Sequence, residues 1–264
     1  MSALAAPSPG RKSDLGIRTV TGIAMIVVAL ACLVYGQTPL WLLLSIVALV
    51  MMAEWAALIA APRWQMWTAI TGMTLPMFLE QPHLDMPTAS GLYGLGIAAL
   101  IVAAITRNGR LVAGMAYAGL PTLALMYLHD QYDGIHLTLW TLAIVWATDI
   151  GAYFSGRTIG GPKLAPVMSP NKTWAGLIGG MIAAIAVGFG LALLLRLPLR
   201  LAAFAGVLAV AAQGGDLYES MMKRRAGVKD SGHILPGHGG AMDRLDGVVP
   251  VACIVALIVI SGML

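Results

Sequence analysis

Charge is what this 264-residue sequence has least of: Asp, Glu, Lys and Arg make up 11% of it, while 59% is hydrophobic. That is too little polar side chain to cover a water-soluble globule of this size, and a mean hydropathy of +0.83 points to a bilayer. Cysteine is almost absent. Cys32 and Cys253 both lie in apolar runs, which excludes a disulfide framework and any cysteine-based metal spacing and leaves packing as their role. An internal repeat, a low-complexity tract and a soluble domain are also missing. So is the apolar core and small-residue cleavage site of a removed signal peptide, since the opening MSALAAPSPGRKSD is small, polar and Pro-containing. We read 1–15 as a short disordered cytoplasmic lead-in and 16–264 as a single integral membrane domain.

What is abundant is long apolar runs. A helix needs about 20 apolar residues to cross the hydrocarbon core. Nine segments approach that length: 16–35, 38–60, 65–80, 91–106, 111–128, 135–154, 174–196, 198–215 and 248–263. The third and fourth are short enough to be tilted or partly re-entrant, in which case the count falls to eight. The fold class is an all-α polytopic bundle of about nine transmembrane helices.

Positive charge tests the orientation, because Lys and Arg accumulate in short cytoplasmic loops. With the N-terminus inside, fourteen of the sixteen cations face the cytoplasm, from Arg11 through Arg107 and Arg110 to Arg244, and only Arg196 and Arg200 lie outside. The opposite loops, 80–85 and 129–134, carry acids and no Lys or Arg. The net charge of +4 therefore reflects orientation, not affinity for nucleic acid. His83, His129 and His136 fall at the outer surface, where solvated or interfacial roles suffice. Glu54, beside Trp55 near the inner end of the second span, reads as an interfacial residue.

Glycine, at 31 copies, is the other excess. The run GLIGGMIAAIAVGFG at 176–190 repeats small residues at helical spacing, which lets helices approach closely in lipid. Packing within one bundle is the simpler reading; a homodimer is the other.

Two cytoplasmic connections are long enough to hold chemistry, 155–173 and 216–247. Asp149 precedes the first, about 21 Å along its span from the outer end, deep enough that a carboxylate should face a polar interior. A helix over 216–230 places Asp216, Glu219, Ser220 and Lys223 on one face. Asp243 and Asp246 are likewise three apart. Hard carboxylate oxygens suit Mg²⁺, which takes one or two of them and completes its shell with water and phosphate oxygens. Lys163, Lys172, Lys223, Arg224, Arg225, Lys229 and Arg244 surround them, and the glycines of PGHGG (236–240) permit close backbone approach. Together these favour phosphoryl chemistry over a solvated loop. His233 and His238 lack the spacing of a zinc pair.

The same residues resemble the signature of the phosphatidate cytidylyltransferase, or CDP-diacylglycerol synthase, family. The match runs through Ser220, Lys223-Arg224, Lys229-Asp230, Gly232, Leu235-Pro236, His238-Gly239-Gly240, Asp243-Arg244 and Asp246. Upstream, Asp149, Ala152-Tyr153, Gly156, Gly160, Lys163 and Ser169-Pro170-Asn171-Lys172-Thr173 resemble the family's other cytoplasmic motif. Ala175, Ala241 and Gly247 depart from the usual pattern without removing an acid or a cation.

The resemblance implies a bacterial cytoplasmic-membrane enzyme that joins CTP and phosphatidate into CDP-diacylglycerol and pyrophosphate, with its active site facing the cytoplasm. It implies Asp216, Asp243 and Asp246 as Mg²⁺ ligands, with a further monovalent or second divalent ion as an extension. Asp216, Lys223, Asp243 and Asp246 form the catalytic set. Lys163, Ser169, Asn171, Lys172, Thr173, Ser220, Arg224, Lys229, His238, Gly239, Gly240 and Arg244 would bind substrate. Asp149 and Glu219 stand behind them, for an additional ion or for orienting lysines. The lipid partner would enter from the membrane. Two alternatives remain: a CTP-dependent transferase acting on another lipid phosphate, and an ion-coupled transporter, which the one-sided placement of charge disfavours.

Overall fold

The computed structural model describes residues 11–84, 86, 89–234 and 239–263, with side chains from residue 20 onward. Its helices are α1 (Arg11–Tyr35), α2 (Gln37–Leu58), α3 (Arg63–Leu79), α4 (Ser90–Thr106), α5 (Gly109–His129) and α6 (Gly134–Thr158), followed by a hairpin of β1 (Lys163–Ala165) and β2 (Ser169–Thr173). Then come α7 (Trp174–Leu194), α8 (Leu199–Ala203), α9 (Ala205–Arg225), α10 (Met242–Leu245) and α11 (Val248–Ile260). The protein is an all-α membrane protein apart from that one hairpin. By length and composition α2, α5, α6 and α7 are each able to cross a membrane, and Val20–Tyr35, Ser90–Thr106 and Val248–Ile260 are shorter apolar helices.

Two expected boundaries are revised. Arg11–Leu15, placed in a disordered lead-in, already belong to α1, while residues 1–10 lie outside the described residues. The segment 198–215 is divided at Phe204 between α8 and α9, and α9 runs on to Arg225. Within the 155–173 connection, β1 and β2 pair antiparallel, with Lys163 opposite Thr173 and Ala165 opposite Ser169.

Consecutive helices α2 to α6 alternate in direction, as short loops require. At one end, Gln37 of α2 donates to Asp130 after α5 (2.9 Å), and Trp41 Nε1 donates to the Met77 carbonyl of α3 (2.8 Å). At the other end, Trp55 Nε1 donates to the Arg110 carbonyl at the start of α5 (2.8 Å). There too Gln65 of α3 meets Thr106 and Asn108 between α4 and α5. His129, expected at the outer surface in a solvated or interfacial role, is buried, with Nε2 3.2 Å from the Leu33 carbonyl of α1.

Two apolar cores result. One joins α2, α3, α4 and α5, and the Met242 side chain of α10 is inserted into it; the other joins α5, α6, α7, α8, α9 and α11. α6 and α7 are the most extensively packed pair. The buried face of α7 is Gly176, Gly180, Ala184, Gly188 and Ala192, one small residue every fourth position. Small side chains there bring the two backbones together, and a methyl group on Gly180 would lie 2.9 Å from the Thr148 carbonyl oxygen. The glycine-rich run is thus an intramolecular packing face.

Candidate active site

α9 shows how the site arises from a helix stripe. Its buried residues Ala205, Leu208, Ala209, Ala212 and Gln213 recur at helical spacing, and the same stripe continues as Asp216, Glu219, Ser220 and Lys223. The face that packs apolar side chains deep in the bundle therefore turns polar near its C-terminal end. Two lysine–carboxylate pairs form on it.

The first pair is Lys172–Asp216. β2 carries Lys172 to α9, where Nζ lies 2.5 Å from Asp216 Oδ2 and 2.9 Å from Gln213 Oε1. Asp216 Oδ1 accepts a long 3.3 Å bond from Ser220, and its side chain is 34% exposed. β2 is held for this by Thr173, whose buried hydroxyl accepts from Gly176 N (3.0 Å) as the N-cap of α7. Within this motif, Lys163 and Asn171 are exposed and Ser169 is half-buried on the hairpin.

Asp246 belongs to the same electrostatic group. Burial, followed by the negative charge of Asp216, pushes its carboxyl up to about 7, with Asp149 adding to the push and Lys172 and the Gly247 N–H opposing it. Gly215 is what lets α9 approach so closely, since a methyl group there would collide with the Asp246 carbonyl oxygen. Asp149 lies on the exposed side of α6.

The second pair is Lys223–Asp243. Lys223 Nζ sits 2.5 Å from Asp243 Oδ1 and 3.3 Å from Glu219 Oε1. Asp243 Oδ2 accepts from Ser231 N (2.8 Å) and Gly240 N (2.8 Å), with Ser231 Oγ at 3.0 Å. Burial alone would raise the Asp243 carboxyl, but the Lys223 ammonium and the Gly240 and Ser231 amides outweigh it and hold it down at about 2. Gly239 adopts φ +82°, and a methyl group there would stand 2.7 Å from Asp243 Oδ2, so both the turn and the fit demand glycine. Glu219 is fully buried; beyond the Lys223 ion pair its oxygens have no hydrogen-bond partner among the described residues.

Glu54 was misread from sequence as interfacial. It is 4% exposed and accepts from Ala241 N (2.9 Å) and Met242 N (2.9 Å), with Ser231 Oγ at 3.0 Å. A charge inside an apolar run was the available signal; its partners lie some 180 positions away and could not be read. Ser231 and Gln213 are likewise parts of the arrangement that sequence reasoning left unassigned. Beside Glu54, Trp55 packs with Tyr117 of α5 (5.1 Å between centroids) and Tyr218 of α9 (6.4 Å). The two halves of the chain therefore meet around this site.

The remaining sequence candidates are exposed or undescribed. Arg224, Lys229 and Arg244 are exposed. His238 and its neighbours Leu235–Gly237 lie outside the described residues. Among the described residues no three of His, Cys, Asp and Glu form a ready metal cage. The donor chemistry nonetheless suits Mg²⁺, because two hard carboxylates suffice when phosphate and water complete the shell. Asp216 and Asp246 fit that requirement; both oxygens of Asp243 are engaged by donors.

The Cytidylyltransferase family matches residues 16–261. A phosphatidate cytidylyltransferase of Brucella suis is 39% identical over 258 residues, covering 93% of each chain. One from Staphylococcus haemolyticus is 34% identical over 251 residues, covering 87% of this chain and 93% of that one. One from Haemophilus influenzae is 47% identical over 128 residues, 46% of this chain and 44% of its own. A family match running nearly end to end, with its two polar motifs meeting at α9, shows that this chain belongs to the cytidylyltransferase family.

Proposed function

We propose that the protein is a phosphatidate cytidylyltransferase, joining CTP and phosphatidate into CDP-diacylglycerol with release of pyrophosphate. The observation that carries this is the meeting of Lys172 from the upstream motif with Asp216 on α9, one turn before the downstream motif begins at Ser220, at 2.5 Å. It brings cations and carboxylates from separate segments to one end of the bundle.

The chemistry asks little of a general base. A phosphomonoester has its second pKa near about 6, so phosphatidate arrives largely ionised. The barrier is the approach of two polyanions. Lys172 and Lys223, each held between acceptors, are positioned to exchange a carboxylate for a phosphate oxygen, and the exposed Arg224, Lys229 and Arg244 add positive potential around them. Asp216 and Asp246, with Asp243 as a third carboxylate, are the residues that would hold Mg²⁺. The ion would supply neutralisation of phosphate charge. Glu219, pressed against Lys223, would keep that ammonium aimed at Asp243. Asp149 would reinforce the negative field that attracts a cation.

We further place the site on the cytoplasmic side of a bacterial inner membrane, in a nine-span chain with its N-terminus inside. Support comes from the helix ends: Arg63, Arg107 and Arg110 share the end that holds Glu54 and Trp55, whereas Glu80 and Asp130 occupy the other. Lipid would reach the headgroup site laterally.

The test is pyrophosphate release by purified protein in detergent or liposomes. Release from CTP is expected only with phosphatidate and Mg²⁺ present. No release with phosphatidate or any other lipid phosphate refutes the assignment, and release with another lipid phosphate alone reassigns the substrate.

A further inference from the structure

Glu54 belongs to α2, far in sequence from the catalytic candidates, yet its carboxylate is fully engaged by the segment that carries them. Oε1 accepts from Ala241 N and Oε2 from Met242 N, both at 2.9 Å, and Ser231 Oγ stands 3.0 Å from Oε2. The same Ser231 Oγ is 3.0 Å from Asp243 Oδ2. One hydroxyl proton serves one carboxylate at a time, so Ser231 is shared between the two acids. Glycines make the close approach feasible: a methyl group on Gly232 would lie 2.6 Å from Glu54 Oε1, and one on Gly240 2.5 Å from Oε2. Meanwhile the Met242 side chain is buried in the core that α2 helps to build.

We propose that Glu54 is a positioning residue. From the N-terminal half it clamps the backbone of 240–242 and thereby sets where Asp243 and Asp246 stand. The helices α2 to α5 are then part of the active-site scaffold and not only a lipid-facing platform. A neutral isostere is a strict probe of this clamp. Each oxygen takes its own backbone N–H, so the amide of Glu54→Gln presents –NH₂ to one of those donors whichever way it turns. Gly232→Ala attacks the same clamp sterically and leaves the carboxylate charge intact.

Two measurements test it. The first, hydrogen exchange on metal-free protein, does not depend on the cytidylyltransferase reading. In both variants the amides of Gly240–Asp243 are expected to exchange at least about tenfold faster, with α6 and α7 unchanged. The second rests on that reading. Per folded molecule, kcat is expected to fall about tenfold or more and half-saturating Mg²⁺ to rise, while KM for phosphatidate holds within about twofold. A residue that only stabilised the fold would lower the folded fraction and leave Mg²⁺ dependence and exchange at 240–243 unchanged. Wild-type exchange at these amides in Glu54→Gln overturns the clamp. Faster exchange with unaltered kcat and Mg²⁺ dependence overturns its bearing on catalysis. Absence of turnover in the unmodified protein overturns the reaction and leaves the exchange result standing on its own.

Discussion

The two lysine–carboxylate pairs are alike in distance and different in everything around them. Lys172–Asp216 and Lys223–Asp243 both close to 2.5 Å. Asp216 is a third exposed and has one oxygen with a long bond from Ser220, whereas Asp243 is 7% exposed and its second oxygen faces two amides and a hydroxyl. A carboxylate with spare acceptor capacity can take a ligand, while one whose second oxygen is filled by backbone donors is tied into the scaffold and offers a ligand only the oxygen that faces Lys223. The difference separates an acid that is open to a ligand from one that also holds its own segment in place.

The sharpest way to break that comparison is at Asp216. Asp216→Asn is expected to lower turnover by at least about 100-fold with little change in thermal unfolding, measured by pyrophosphate release and by melting in detergent. If Asp216→Asn instead melts early, the open pair is structural after all. Asp243→Asn is expected to lose activity too, but with destabilisation of about 3 kcal/mol, since the amide presents –NH₂ either to the Lys223 ammonium or to the Ser231 and Gly240 amides whichever way it turns.

Acid should separate the pairs further. The Asp243 carboxyl is held at about 2, below the ordinary 3.8, so the folded state binds its proton less readily than the unfolded chain does. Its stabilisation is therefore complete above about pH 4 and is lost as pH falls toward about 2. Melting temperature followed through that window is expected to drop more in the unmodified protein than in Asp243→Asn; parallel curves would refute the role. The smallest effect concerns the support of Lys172. Thr173→Ala removes the α7 cap and should cost about 1 kcal/mol, read in melting, with a modest rise in KM for CTP. A KM change without a melting change would mean that Thr173 touches substrate directly.

Much of this was legible in the sequence. Apart from 198–215, the apolar runs foretold helices within a few residues, because the bilayer sets their length. The stripe Asp216, Glu219, Ser220 and Lys223 was readable as one face, because helix periodicity is local. The small-residue run at 176–190 was readable as a packing surface for the same reason. Glu54 was not, since a lone acid near a helix end looks interfacial until the amides of Ala241 and Met242 are brought to it. Nor was the filling of Asp243 Oδ2, which depends on the backbone direction of Ser231 and Gly240. Thr173, expected among substrate-binding residues, is seen as the cap of α7 because β2 runs directly into that helix.

By itself, then, the sequence determined the solvent, the helices and the chemical inventory, since hydropathy, periodicity and side-chain type are properties of short stretches. Only the tertiary structure decided which acid meets which lysine, which carboxylate keeps an open oxygen, and that a residue of α2 holds the Asp243 segment in place. Those are matters of backbone hydrogen bonds and close approach between distant segments, and no local pattern encodes them.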